Sequence, residues 1–148
     1  VKFSTRVREQ IKNRSKGQCE VCGMRLMIYE AQIHHRRPRG MGGSKSAATG
    51  SVSNGLHVHM KCHERIESNR INAMDNGYLM YQTQEPSEVP ARLWYGWHLL
   101  NEDGTVTAIQ RESGGGEASL PAGVQVVKDV ETSVHSEKVQ WVSDTIPM

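Results

Sequence analysis

The sequence predicts an α+β fold. An N-terminal helix comes first, then two short strands and a helix gathered around histidines and cysteines, then a small β-hairpin or β-rich extension at the C-terminal end. Three observations predict it. Phe3, Val7 and Ile11 recur at i, i+4 and i+8, the spacing of one helical face. Five of the seven histidines and one of the three cysteines fall within residues 33–63. Beyond Gly77 the texture changes to short runs of aromatic and β-branched residues separated by turn residues.

At 148 residues the chain is long enough for one domain, or for a small domain with an appendage. We divide it into 1–77, a hairpin extension over 78–112, and a flexible or edge-strand tail over 113–148. Apolar content is 36% and aromatic content 5%, too lean for a generous full-length core, so part of the chain is expected to need a metal staple or to stay loose. No run approaches the roughly 20 apolar residues of a membrane span, and no secretory signal is read.

The net charge of +2 hides an asymmetry. Residues 1–72 carry 14 Lys and Arg against five Asp and Glu, a balance of +9. Residues 73–148 carry four against 11, a balance of −7. A basic half that also holds the metal-type residues points to a polyanion such as nucleic acid. The plainer reading is a solvated basic face balanced by an acidic one.

Residues 4–15 read as a helix, capped by Ser4 or Thr5 and stopped at Gly17, with its basic residues in solvent or, as a face, against phosphate, no single one of them being singled out. Cys19-Glu20-Val21-Cys22-Gly23 is a knuckle. Two residues between cysteines let both sulfurs face one tetrahedral ion, and Gly23 permits the turn that follows. A redox pair is the rival, but it needs a thioredoxin-like βαβ setting that this chain lacks. Metal ligation and an unpaired third cysteine favour a reducing compartment, expected to be the cytoplasm.

Residues 26–34 supply strand formers and lead into His34-His35. Residues 40–53 are rich in Gly and Ser and read as an exposed loop carrying Lys45. The loop either rides over a nucleic-acid backbone or simply connects two strands. Asn54-Gly55 is a turn signal, and Leu56 and Val58 alternate inward as a second strand. Residues 60–72 read as one helix, with Ile66 and Ile71 as core contacts. Its first turn holds Cys62 and His63, which diverge by about 100°. One therefore faces the Cys19/Cys22 knuckle and the other faces His34 and His35. His59, three residues before Cys62, joins it on the knuckle side. Residues 85–90 look like a linker, and 93–109 read as a hairpin whose Trp residues are assigned to packing rather than to base stacking.

These residues resemble a known family. His34-His35, the Gly42-Gly43 pair, Asn54-Gly55-Leu56 and Cys62-His63 look like the HNH endonucleases of the ββα-metal fold. Cys19 and Cys22 add the zinc-stapled branch of that family. The resemblance covers about residues 4–72. It departs where that branch usually reads C-x-x-C-His, since His59 stands here in place of a cysteine. A structural zinc held by Cys19, Cys22, Cys62 and His59 is what the resemblance implies, with His57 a competing fourth ligand.

The resemblance implies a DNA phosphodiester hydrolase. His35 would be the general base, and Asn54 would orient its ring. His34 and His63 would hold one catalytic divalent ion, which is left open between Mg²⁺, Mn²⁺, Ni²⁺ and Zn²⁺. The roles of His34 and His35 stand open to exchange, because adjacency alone does not separate them. Arg36, Arg37 and Arg39, with Lys45, are expected to contact phosphate. Partners implied are DNA and phage packaging or restriction proteins, in a bacterial or phage-infected cell. The alternative is a non-catalytic zinc module that binds nucleic acid, and a third reading is a redox or metal-storage protein.

Overall fold

The computed structural model describes residues 2–41 and 43–110, and the backbone of one further strand at 125–126. The tail expected over 113–148 otherwise lies outside the described residues, as does Gly42.

Helix α1 spans Thr5–Ser15. Ser4 caps it, its hydroxyl accepting from the Val7 N–H at 3.2 Å. The helix ends at Lys16, which is itself left-handed (φ 53°) and donates its N–H to Lys12 O. Ile11 and Phe3 are buried, and with Val52 they form a small cluster against Val7 and Ile33.

Strand β1 (Ala31–His35) pairs antiparallel with β2 (Gly55–His59), with Ile33 opposite His57 and His35 opposite Gly55. The strand expected from residue 26 starts later: Ile28 and Tyr29 lie in turns and are 97% and 76% exposed. Asn54-Gly55 is not a hairpin turn. Asn54 ends a short 3₁₀ turn (Val52–Asn54), and Gly55 is extended strand at φ −104°, ψ 140°. Gly55 matters through space instead. A Cβ there would run into Ile11 and Phe3, so its bare Cα lets α1 lie directly on the start of β2.

The helix expected over 60–72 is two helices, α2 (Met60–Ser68) and α3 (Arg70–Asp75). Asn69 breaks it and caps α3, accepting from the Asn72 N–H at 3.2 Å. Ile66 is buried as expected, but the break turns Ile71 outward to 79% exposure.

The chain then turns at Gly77 (φ 75°), where a Cβ would strike Pro90 O. Strands β3 (Ala91–Leu93), β4 (Gly96–Leu100), β5 (Val106–Gln110) and β6 (Gln125–Val126) follow as an antiparallel sheet in sequence order. Trp94 and Tyr95 form the turn between β3 and β4. Trp94 lies over Gly23 of the knuckle, and its N–H donates to Glu20 O at 2.9 Å.

One apolar cluster joins Cys19, Leu56, Val58, Cys62 and Ile66 to Tyr78, Leu79, Leu93 and Leu100. The boundary drawn at 77/78 therefore runs through a shared core. The stretch read as a linker, 85–90, holds a 3₁₀ turn (Pro86–Glu88) with Pro86 buried.

Two basic residues expected at the surface are interior. Arg14 makes a bidentate pair with Glu20 (2.7 and 2.8 Å) and donates to Val52 O and Gly55 O. Burial pulls the Arg14 pKa down, but the charge and bonds of Glu20 outweigh it and leave it raised. Glu20 also accepts from the His57 N–H at 2.8 Å, which ties the knuckle to β2. Arg36 is fully buried. It donates to the carbonyls of Gly77, Ser53, Pro86 and Val89 at 2.6–3.1 Å, and burial lowers its pKa to about 9. Among the described residues, no helix is long and apolar enough to cross a membrane.

Candidate metal centres

The fold brings two sets of candidate ligand atoms together on different faces of α2. The first is sulfur. Cys19 and Cys22 come from the knuckle and Cys62 from the first turn of α2, and their Sγ atoms all lie within 4.8 Å of one another. The knuckle closes through Gly23 N–H to Cys19 O and Cys19 N–H to Met24 O, both at 2.8 Å. Backbone N–H groups of Cys22 and His59 point at Cys19 Sγ, at 3.5 and 3.4 Å. Burial, together with the neighbouring sulfurs, pushes the Cys22 and Cys62 thiols up. Three clustered thiols with N–H donors around them fit a soft divalent ion such as zinc.

The fourth ligand expected from histidine is not in place. His59 faces Glu30, with Nε2 3.3 Å from the carboxylate. The register explains this, since His59 pairs with Ala31 and Glu30 stands next to it across the ladder. His57 is committed elsewhere: its Nδ1 lies 2.7 Å from Ser15 Oγ. Ser15 already donates its hydroxyl proton to Lys12 O at 2.8 Å, so the ring is the donor in this bond.

The second set is His34, His63 and Glu67, whose ligand atoms also lie within 4.8 Å of one another. His34 is buried. Its Nε2 is 2.8 Å from Tyr78 O, and a carbonyl only accepts, so Nε2 carries the proton and Nδ1 is bare. Nδ1 is 3.8 Å from Glu67 Oε1, and His63 Nε2 is 3.7 Å from the same oxygen. The rings of His34 and His63 stand 5.0 Å apart at 60°. Burial lowers the His34 pKa to about 3, and His63, His35 and Arg36 act in the same direction. The imidazole is therefore held neutral, the form in which it binds metal.

Glu67 was not among the expected ligands. Its signal was its place four residues after His63, which sets both on one helix face. It also pairs with Arg70 at 3.3 Å.

His35 points to the other face of β1, where its ring stacks on Phe3 with centroids 4.0 Å apart and planes 15° apart. All four side chains nonetheless line one cleft of about 560 Å³. The reason is topological. Among the described residues, strand β1 pairs with β2 alone, so its other edge carries no strand. Lys2, Arg8, Arg39 and Arg70 also line this cleft, and among the described residues Glu67 is its sole carboxylate.

The remaining expected residues divide. Arg39 lines the cleft. Arg36 is not available to phosphate, because four carbonyls and the core enclose it. Arg37 and Lys45 do not line the cleft. Asn54 does not hold the His35 ring. Its Oδ1 accepts from the Arg37 N–H at 2.6 Å, and its Nδ2 donates to Arg37 O and Thr49 O at 3.2 and 2.8 Å. It fixes the backbone just beyond His35 rather than the ring. Lys2, Arg8 and Arg70 were missed, because charge on a helix or near a terminus has no sequence signal that separates a cleft wall from open solvent. No family model, no curated protein and no solved structure matches the chain.

Proposed function

We propose that the chain is a metal-dependent endonuclease of the HNH type, hydrolysing phosphodiester bonds in DNA. One observation carries the reading. The bare Nδ1 of His34, His63 Nε2 and the Glu67 carboxylate converge on one point, in a cleft that also holds His35 and four cationic side chains.

Two imidazoles and a carboxylate are a competent set for a first-row divalent ion, and the carboxylate oxygen also admits a harder ion such as Mg²⁺. An ion held there would supply Lewis-acid stabilisation of the phosphoryl charge and of the departing 3′ oxygen. His35 takes the proton of the attacking water, as an imidazole does near neutral pH. Its stack on Phe3 restricts the ring's orientation, which favours a fixed approach. Lys2, Arg8, Arg39 and Arg70 neutralise the scissile and flanking phosphates. In the same reading the Cys19–Cys22–Cys62 cluster holds a structural zinc, with a fourth ligand supplied by His59 turning from Glu30 or by solvent.

The test is cleavage of supercoiled plasmid by the full chain with Mg²⁺, Mn²⁺ or Ni²⁺, against chelator and against His35→Ala. Metal-dependent nicking that the variant lacks, at unchanged circular dichroism, is the expected result. Salt-sensitive DNA binding without cleavage under any ion would leave the non-catalytic module as the correct reading.

A further inference from the structure

Gln32 stands two residues before His34 on β1, so both side chains leave the same face of the strand. That face looks at α2, and His63 lies over both. Its ring is tilted against His34, and its Nδ1 is 2.5 Å from Gln32 Oε1. The amide oxygen accepts, so His63 donates from Nδ1 and leaves Nε2 bare. Nε2 is the atom that faces Glu67 Oε1.

We infer that Gln32 is a positioning residue: it holds His63 in the tautomer and ring orientation that turn Nε2 into the cleft. The inference deepens the nuclease reading and rests on it, since the ion of that reading is what His63 would hold. Tyr78 O does for His34 what Gln32 does for His63, with the nitrogens exchanged: Nε2 is tied and Nδ1 is bare. Each imidazole thus has one nitrogen fixed by an acceptor and the other aimed at a common point. The acceptors are a main-chain carbonyl and a neutral amide. Neither adds a negative charge, so Glu67 is the sole anion of the ligand set and an ion there keeps most of its charge for a phosphate.

The choice of an amide has a consequence for substitution. A carboxylate at position 32 would still accept from Nδ1 and would make His63 a more basic ligand. An aliphatic side chain would free the ring to rotate and to place its proton on either nitrogen.

The experiment has two parts, both on the full chain as purified with no chelator. Long-range ¹H–¹⁵N spectra before metal addition read the His63 tautomer directly. A proton on Nδ1 is expected in the wild type, and its loss as the single form is expected in Gln32→Leu. A wild-type His63 with its proton on Nε2 would overturn the inference without any variant. Titration calorimetry with Mn²⁺ and Ni²⁺ then compares wild type, Gln32→Leu, Gln32→Glu and His63→Ala, the last marking the cleft. Gln32→Leu should weaken uptake by about 10- to 100-fold, the range for outer partners of metal ligands, while Gln32→Glu retains or tightens it. Equal affinity in wild type and Gln32→Leu would refute the role of Gln32 and leave the nuclease reading standing. No uptake beyond that of His63→Ala in the wild type would remove both.

Discussion

Asn54 grips the main chain of Arg37 from both sides: its Oδ1 takes the Arg37 N–H at 2.6 Å while its Nδ2 gives to Arg37 O at 3.2 Å. Asn54 is fully buried and closes the connection between β1 and β2 at its base. Asn54→Ala leaves two carbonyls and an N–H without their partner, and should cost about 2–4 kcal/mol. Urea denaturation measures this. Asn54→Asp should be worse near neutral pH, because a carboxylate would face Arg37 O and Thr49 O. An Asp variant as stable as wild type would show that the grip is not what closes the loop.

Arg36 and Arg39 lie three residues apart, the first buried and the second lining the cleft. Arg36→Met strips donors from four carbonyls and should destabilise the fold by at least about 3 kcal/mol. Arg39→Ala should leave the unfolding midpoint nearly unchanged and lower the salt dependence of DNA binding by about one unit of log–log slope. Interchanged effects would place Arg36 in contact with the polyanion and contradict its caged position.

Glu67 is half-exposed on α2, so its loss should be felt by an ion more than by the fold. Glu67→Gln should keep the metal-free melting temperature within about 2 °C, an effect of well under 1 kcal/mol. It should weaken Mn²⁺ uptake by at least about 100-fold, the upper reach of changes one shell further out. Full plasmid cleavage by Glu67→Gln at low Mn²⁺ would strike Glu67 from the ligand set.

Cys19 and Cys62 belong to the same apolar cluster as Leu93 and Leu100, and Trp94 lies over Gly23 beside Cys22. If an ion staples the three sulfurs, removing it should melt both halves at once. Structural zinc contributes about 10–16 kcal/mol in small zinc peptides. Cys62→Ser should therefore lose the near-ultraviolet dichroism of Trp94 together with the far-ultraviolet helix signal, in a single transition. A zinc-free Cys62→Ser protein with native Trp94 dichroism would show that the core holds without the staple.

Two of the buried histidines, His34 and His57, make the fold sensitive to acid. Burial lowers the His34 pKa to about 3, and burial lowers that of His57 as well. Unfolded histidine titrates near about 6.5. Below that value the unfolded chain binds protons that the folded chain refuses, so stability falls as pH falls. The contribution is complete above about 6.5, and the part due to His34 is exhausted near pH 3. Urea midpoints at pH 7.5, 6.5 and 5.5 should decline, and His57→Gln should make the decline shallower. An unchanged slope in that variant would mean that His57 takes its proton without opening the fold.

The elements were legible where a local pattern matched a local cause. The apolar spacing of Phe3, Val7 and Ile11, the cap at Ser4 and the C-x-x-C knuckle each specify their structure within a few residues. The divergence of Cys62 and His63 on one helix followed from helical geometry alone, and the structure gathers Cys62 with Cys19 and Cys22 and His63 with His34 and Glu67. Gly55 misled because its cause lies far off in the chain: it is small on account of Ile11 and Phe3. Ile71 misled for a nearer reason, since Asn69 starts a new helix and turns it outward.

By itself, then, the sequence determined the helix, the knuckle and the crowding of histidines between residues 33 and 63, since these depend on neighbours at fixed spacing. Only the tertiary structure decided which donors serve the cleft and which serve the core. Arg36, Arg37 and Arg39 have the same chemistry in a row, yet four carbonyls from residues 53–89 take the first out of solvent. Glu67 and Gln32 gain their meaning from a strand and a helix that meet 31 residues apart. A side chain's charge and hydrogen-bonding capacity are written locally, but burial and partners are set by chain segments that arrive from elsewhere.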